Sequence, residues 1–320
     1  LWLSPSLLLM ILSMLTSISL VISSPSLFIA WVGLELNTLA FLPMMLAKKT
    51  KLTAESSIKY FLTQTLASIL IILGGLAVLI PLDGMGGLLI FSGISVKLGG
   101  APFHGWVISV AEYLPWIPLF VLLTIQKINP LFIMWSFCDV SQSWYNFVII
   151  SSLVVGGLAG LAQTSIRALI TFSSINHVGW LLASLNFDIK YGVFYFLIYL
   201  LVLLVPVLIF LENNISHVNQ LPFLNMSSSS QVILFFSLLS LGGLPPFLGF
   251  LPKWMMLQLL CDYSFFVLSL VMVVMSLITL FFYLRLMFSA FIFGGSKILN
   301  TNYNRTSLFN TLLFMLSSTG

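Results

Sequence analysis

Apolar runs about twenty residues long follow one another along almost the whole chain, and this spacing limits the fold more than any other feature. A helix needs roughly 20 apolar residues to cross the hydrocarbon of a bilayer. Only 6% of the 320 residues are charged and 60% are hydrophobic, with a mean hydropathy of +1.14. A soluble domain carries roughly 25% charged residues, so a surface this poor in charge is suited to lipid. The expected fold class is an all-α polytopic membrane protein. About eleven spans are expected, near 5–22, 26–46, 56–80, 86–108, 116–137, 144–162, 167–185, 191–211, 231–251, 264–293 and 306–318. The segment 212–230 is the one long polar connection, and no soluble domain is expected.

The few charges test this layout. Loops that follow even-numbered spans hold Lys48, Lys49, Lys51, Arg167, Lys297 and Arg305. Loops that follow odd-numbered spans hold Lys190, with Lys253 close to a span end. Alternation of this kind places the first residues on the matrix or cytoplasmic side. The chain opens on an apolar run, with neither a basic leader nor an Arg-rich transit peptide. It is therefore expected to be made beside its own membrane, in a bacterium or an organelle. A leading Leu1 points to a non-standard start or a processed end.

Several function classes find no support. The basic residues are scattered, and the Lys48–Lys49–Lys51 cluster reads as a topology signal rather than a nucleic-acid footprint. Cys138 and Cys261 stand alone, so a metal cluster or haem held by this chain is not expected. No phosphate-cradling glycine loop and no Ser/His/Asp arrangement appears.

An internal echo points to a built-in repeat. Gly99-Gly100-Ala101-Pro102-Phe103-His104-Gly105-Trp106 resembles Gly242-Gly243-Leu244-Pro245-Pro246-Phe247-Leu248-Gly249-Phe250, with one extra proline. Each lies within an apolar span, where Gly and Pro interrupt the hydrogen-bond ladder. Paired breaks in the two halves of a chain mark repeat-built transporters. Two ordinary helix kinks would be the plainer reading.

Ionisable residues inside the bilayer cost about 2.5–3.5 kcal/mol each on insertion scales and need a reason to be there. Glu35 lies mid-span in WVGLELN with no neutralising neighbour within one turn on its own helix, so it takes a partner from another helix or is protonated. Lys97 precedes the first break, Lys127 lies mid-span before a proline in TIQKINP, and Lys253 follows the second break. Burial disfavours the charged form of either residue type, whereas a nearby opposite charge favours it. A glutamate and a lysine that meet and part therefore alter each other's proton affinity, which is what a proton relay requires. Lysine suits this role better than arginine, which stays charged. The alternatives are a static pair for Glu35 and Lys97, a plain internal ion pair for Lys127 and snorkelling to an interface for Lys253. Four such residues in so uncharged a chain favour the relay. His104 and His177 stand second to them. His217 is expected to be solvated, and Glu55 with Lys59 to form a helix-end ion pair.

The motifs WVGLELNTLAFLPMM, ESSIKYFLTQTLAS, KLGGAPFHGW, TIQKINP, SSINHVGW and LGGLPPFLGFLPKW occur in order from about residue 27 to 290. They resemble the chain 2 family of NADH-ubiquinone oxidoreductase, the antiporter-like membrane subunits of mitochondrial complex I. The resemblance implies two inverted five-helix repeats, each with a discontinuous helix, forming one antiporter-like domain over 1–320 with halves near 1–137 and 144–293. It implies a multi-pass place in the mitochondrial inner membrane and one proton path driven by electron transfer elsewhere. Glu35, Lys97, Lys127 and Lys253 match the family's essential glutamate, its partner lysine, its central lysine and its terminal lysine. It also implies that NADH, FMN, iron–sulfur clusters and ubiquinone are bound by other subunits. The implied partners are other membrane-arm chains, antiporter-like ones included, and lipids such as cardiolipin. Bacterial relatives often carry three further N-terminal helices, and this length resembles the shorter animal form. Ala168 stands after Arg167 where the family often has lysine. Two other functions remain open at this stage: a stand-alone cation/proton antiporter, and a structural membrane subunit.

Overall fold

The computed structural model describes residues 5–47, 50–79, 84–138, 140–223 and 228–294. Lys48, Lys49, Lys297, Arg305 and the expected span 306–318 lie outside the described residues. Regular structure among the described residues is helical. It comprises α1 (Pro5–Ile22), α2 (Leu27–Met45), α3 (Lys51–Leu79), α4 (Met85–Leu98), α5 (Gly105–Ala111), α6 (Trp116–Leu123), α7 (Ile125–Phe137), α8 (Gln142–Leu161), α9 (Ile166–Phe187), α10 (Ile189–Glu212), α11 (Ser228–Gly242), α12 (Phe250–Asp262) and α13 (Phe266–Gly294). A 3₁₀ turn covers Val218–Phe223. Among these residues, seven helical segments are long and apolar enough to cross a membrane alone, counting α6 with α7 as one.

Helices form here because each segment must bond its own backbone once water is gone. The hydroxyls follow the same rule. Ser17 donates to the Met14 carbonyl at 2.6 Å, Ser68 to Thr65 at 2.7 Å, and Thr171 to Ala168 at 2.7 Å. Bonding back to the preceding turn lets a polar side chain sit in hydrocarbon without an orphaned donor.

The chain forms two compact units, 1–151 and 152–320. In the first, α3 and α4 approach closely along a seam of glycines. A Cβ on Gly74 would come within 2.7 Å of the Ile90 nitrogen, and one on Gly93 within 2.8 Å of the Ala67 carbonyl. In the second, α9 is the central helix and packs against α10, α12 and α13. Its spanning window is 100% buried, against 28% for α13. The same window has a mean hydropathy of only 1.3, against 2.9 for α10. A helix enclosed by other helices can carry Thr171, Ser173, Asn176 and His177, which a lipid-facing one could not.

Each unit contains a broken helix, α4/α5 in the first and α11/α12 in the second. Gly99 (φ +69°) and Gly243 (φ +78°) end the first halves in the left-handed conformation that glycine adopts without strain. The backbone then repeats bond for bond. Gly99 N–H reaches Val96 O at 3.1 Å and Gly100 N–H reaches Ser95 O at 3.1 Å. Their counterparts are Gly243 to Ser240 at 3.0 Å and Leu244 to Leu239 at 3.3 Å. Phe103 to Gly100 and Phe247 to Leu244 are both 2.9 Å. One constant step of 144 residues relates all of these pairs, from Gly99 to Gly243 and Phe103 to Phe247. This corrects the expected register: no extra proline intervenes, and Pro102 corresponds to Pro246.

Two further corrections concern the spans. The segment 116–137 is not one continuous helix, because Thr124 (φ −121°, ψ −79°) interrupts it between α6 and α7. The ninth span does not stop at 251 but continues as α12 to Asp262. The second Gly/Pro stretch is thus an interior break, as expected, and it lies nearer the middle of its span than the expected end at 251 allows.

Candidate functional site

In the first unit, α2, α3, α4 and α7 bring together residues distant in sequence. Glu35 on α2 meets Lys97, the penultimate residue of α4, with Oε1 3.4 Å from Nζ. The Lys97 side chain is 1% exposed and that of Glu35 is 22% exposed. The base is therefore sealed, while the acid keeps one side at the surface of the unit. Lys127 lies in the first turn of α7, just after the Thr124 interruption, and is 4% exposed. Lys97 and Lys127 line one cavity of about 20 Å³, together with Tyr60, Gln64, Trp106 and Gln126. That volume admits about one water molecule, and the lining supplies the polar partners a water needs.

Sequence reasoning did not single out Tyr60, Gln64, Asn37 or Gln126. Asn37 Nδ2 donates to Gln126 Oε1 at 3.0 Å, and Gln126 Nε2 donates to Asn37 Oδ1 at 3.3 Å. The Tyr60 hydroxyl donates to the same Gln126 oxygen at 3.3 Å. Asn37 and Gln126 stand beside Glu35 and Lys127 within the quoted motifs, and amides inside apolar spans were the available signal.

In the second unit, Lys253 on α12 is 5% exposed. Its ammonium donates to the Gly242 carbonyl at 2.9 Å and to Leu241 O at 3.4 Å. It also lies 5.7 Å above the Trp180 ring. The position near a span end expected for Lys253 is thus wrong. It sits inside the fold, where it caps the carbonyl end of α11, which carries partial negative charge. In the first unit the corresponding carbonyl end, at Val96 O, accepts the Trp106 indole N–H at 2.9 Å. Lys97 is thereby left to reach Glu35.

The histidines differ. His177 is 7% exposed, and its Nδ1 lies 2.9 Å from the Tyr195 hydroxyl. With Tyr195, Tyr199 and Ser240 it lines a cavity of about 10 Å³ against Gly249 and Pro252, beside the second break. His104 is half-buried, and its Nδ1 makes a local contact at 3.2 Å with the Pro102 carbonyl. His217 is exposed on the polar connection, and Lys59 pairs with Glu55 at 2.7 Å on the exposed start of α3. Among the described residues, no group of three His, Cys, Asp or Glu side chains could hold a metal ion.

A sealed lysine with a carboxylate at its ammonium and a second lysine on a shared polar cavity can exchange a proton. Residues 81–279 match the family of NADH:quinone oxidoreductase and Mrp antiporter transmembrane segments. The chain is 41% identical to NADH-ubiquinone oxidoreductase chain 2 of Anopheles gambiae over 315 residues, covering 93% of this chain and 91% of that one. It is 34% identical to the chain 2 protein of Mus musculus, again covering 93% and 91%. Its fold is similar to a chain of the respiratory complex I structure from Thermus thermophilus (TM-score 0.85, 22% identity, 98% of this chain and 76% of that one). It is also similar to a chain of the Mrp complex from Dietzia sp. (TM-score 0.80, 18% identity, 88% and 60%). Matched over most of its length by both the family's sequence pattern and close relatives, the chain belongs to the NADH:quinone oxidoreductase/Mrp antiporter transmembrane family.

Proposed function

We propose that this chain is the proton-translocating chain 2 subunit in the membrane arm of an NADH:ubiquinone oxidoreductase. One observation carries the reading: Lys97, sealed from solvent, holds Glu35 at 3.4 Å and lines the same cavity as Lys127. Protons enter near Glu35 and Lys97, pass Lys127 and leave by way of Lys253, or travel the reverse course. His177 is a secondary carrier near Lys253, and His104 a weaker candidate. Separation of Glu35 from Lys97 removes the charge that favours the protonated lysine and so releases its proton toward Lys127. Energy from electron transfer biases that pair between its joined and parted states.

The wider assignment rests on relatives from animals that carry the chain 2 name. We infer that the chain lies in the mitochondrial inner membrane among other membrane-arm subunits, including antiporter-like ones, and lipids such as cardiolipin. NADH, FMN, iron–sulfur clusters and ubiquinone belong to other subunits, and this chain holds no redox centre. The chain forms one antiporter-like domain whose two halves, near 1–137 and 144–293, arose from one five-helix unit. The constant step between the two breaks supports that origin.

The test is to introduce Lys127→Met into the assembled complex and measure NADH-driven proton transport in liposomes. Transport falls to background if Lys127 carries protons. Transport at the unaltered rate would leave a structural subunit as the better reading. The likeness to the Mrp complex favours a second function, independent cation/proton exchange. That reading requires the purified chain alone to exchange cations for protons in liposomes.

A further inference from the structure

We propose that Gln126, paired with Asn37, is a positioning residue that holds Lys127 in the cavity it shares with Lys97. The inference rests on the relay proposed above.

The need for such a brace comes from the interruption at Thr124. Continuous helix would fix the rotation of α7 through α6, but the backbone departs from helical geometry at Thr124. The Thr124 hydroxyl turns back to Phe120 O at 2.6 Å, and Lys127 N–H bonds Thr124 O at 3.0 Å in a tight i to i−3 turn. Successive residues on a helix are about 100° apart. Lys127 follows Gln126 directly, so any rotation of this first turn swings the Lys127 side chain away from the cavity.

Gln126 fixes that rotation. Its two bonds with Asn37, at 3.0 and 3.3 Å, form a closed amide ring that sets both the position and the tilt of its side chain. The Tyr60 bond adds a third fixed point from α3. Asn37, Gln126 and Tyr60 are 2%, 9% and 1% exposed. Asn37 lies two residues beyond Glu35, so one element carries both the acid and the brace. Primary amides do not titrate in the working pH range, so the pair cannot relay protons itself. Buried amides without partners are costly, and a satisfied buried network specifies a unique arrangement more than it adds stability. A pair of leucines would pack α2 against α7 without fixing rotation.

The test uses the assembled complex, with its amount measured separately on native gels. Gln126→Leu is expected to lower kcat for NADH:quinone turnover per assembled complex by about 10-fold to 100-fold, the cost of misplacing a reacting group by an ångström. The KM for quinone is expected to stay unchanged, because the quinone site lies in other subunits. The exchange Asn37→Gln with Gln126→Asn keeps the ring and the combined length. It is expected to recover turnover that either substitution alone loses. Should Gln126→Leu fail to assemble, Tyr60→Phe decides: loss of one bond is expected to slow turnover about fivefold. Unaltered turnover in Gln126→Leu, or in Tyr60→Phe where that variant decides, overturns the brace. So does an exchange variant as slow as the single ones. If the brace fails while Lys127→Met still stops transport, the relay stands without it. Normal transport in Lys127→Met removes the relay and the brace together.

Discussion

Lys97→Met separates a proton carrier from a structural partner most sharply, because the two roles predict effects of different size. Methionine resembles lysine in length and fills the same sealed pocket, so the substitution removes the ammonium and little else. Breaking a fully buried ion pair costs about 3–5 kcal/mol, and an exposed pair is worth about 1 kcal/mol or less. The Lys97 side chain is 1% exposed but Glu35 is 22% exposed, and a carboxylate with one open side can be hydrated or protonated. A loss of about 1–3 kcal/mol, between those limits, is therefore expected. The complex assembles in reduced amount. Losing a positioned acid–base group typically costs 10²–10⁴ in rate, so proton transfer through the site falls at least about 100-fold per complex. Assembly is read from a native gel stained for NADH dehydrogenase activity, and transport from a pH dye in liposomes with and without uncoupler. NADH oxidation falls with transport because the two are coupled. An assembled Lys97→Met complex that pumps at half the normal rate or better would refute the reasoning.

Other outcomes follow from the same geometry. Lys253→Arg should keep the α11 carbonyl cap, and so assembly, yet abolish transport, because guanidinium does not release its proton; transport assays on the assembled variant check this. Gly243→Ala should reduce assembly, since a side chain at φ +78° costs about 1–2 kcal/mol and its Cβ would lie 2.7 Å from Lys253 Cδ; native gels measure the loss. Glu55→Gln should leave both assembly and transport unchanged, because the Glu55–Lys59 pair is exposed. A transport defect in that variant would give this pair a role in the path.

Much of this arrangement was legible in the sequence because hydrocarbon enforces simple rules. A run of apolar residues favours helix, the Gly/Pro stretches at Gly99 and Gly243 signal an interruption, and a mid-span Glu35 calls for a partner from another helix or for a proton. What could not be read were features set by tertiary contact. The interruption at Thr124 carries no Gly or Pro of its own, so nothing local announces it. Lys253 looks peripheral in the sequence because the apolar run around the second break thins out near residue 251, whereas α12 continues to Asp262. The ring of Asn37, Gln126 and Tyr60 joins three helices, and each of its members alone looks like an ordinary polar residue inside a span.

The two breaks share their backbone hydrogen bonds yet are not copies in chemistry. The step that carries Gly99 to Gly243 carries Lys97 to Leu241 and Ser109 to Lys253. In one half the cation precedes the bend and a tryptophan closes the helix end; in the other the cation follows the bend and closes that end itself. The hinge is common to both halves, whereas the charge stands on opposite sides of it. Roles in this protein therefore do not transfer between halves by aligning positions: at Leu241 or Ser109 such an alignment would find neither an acid nor a base.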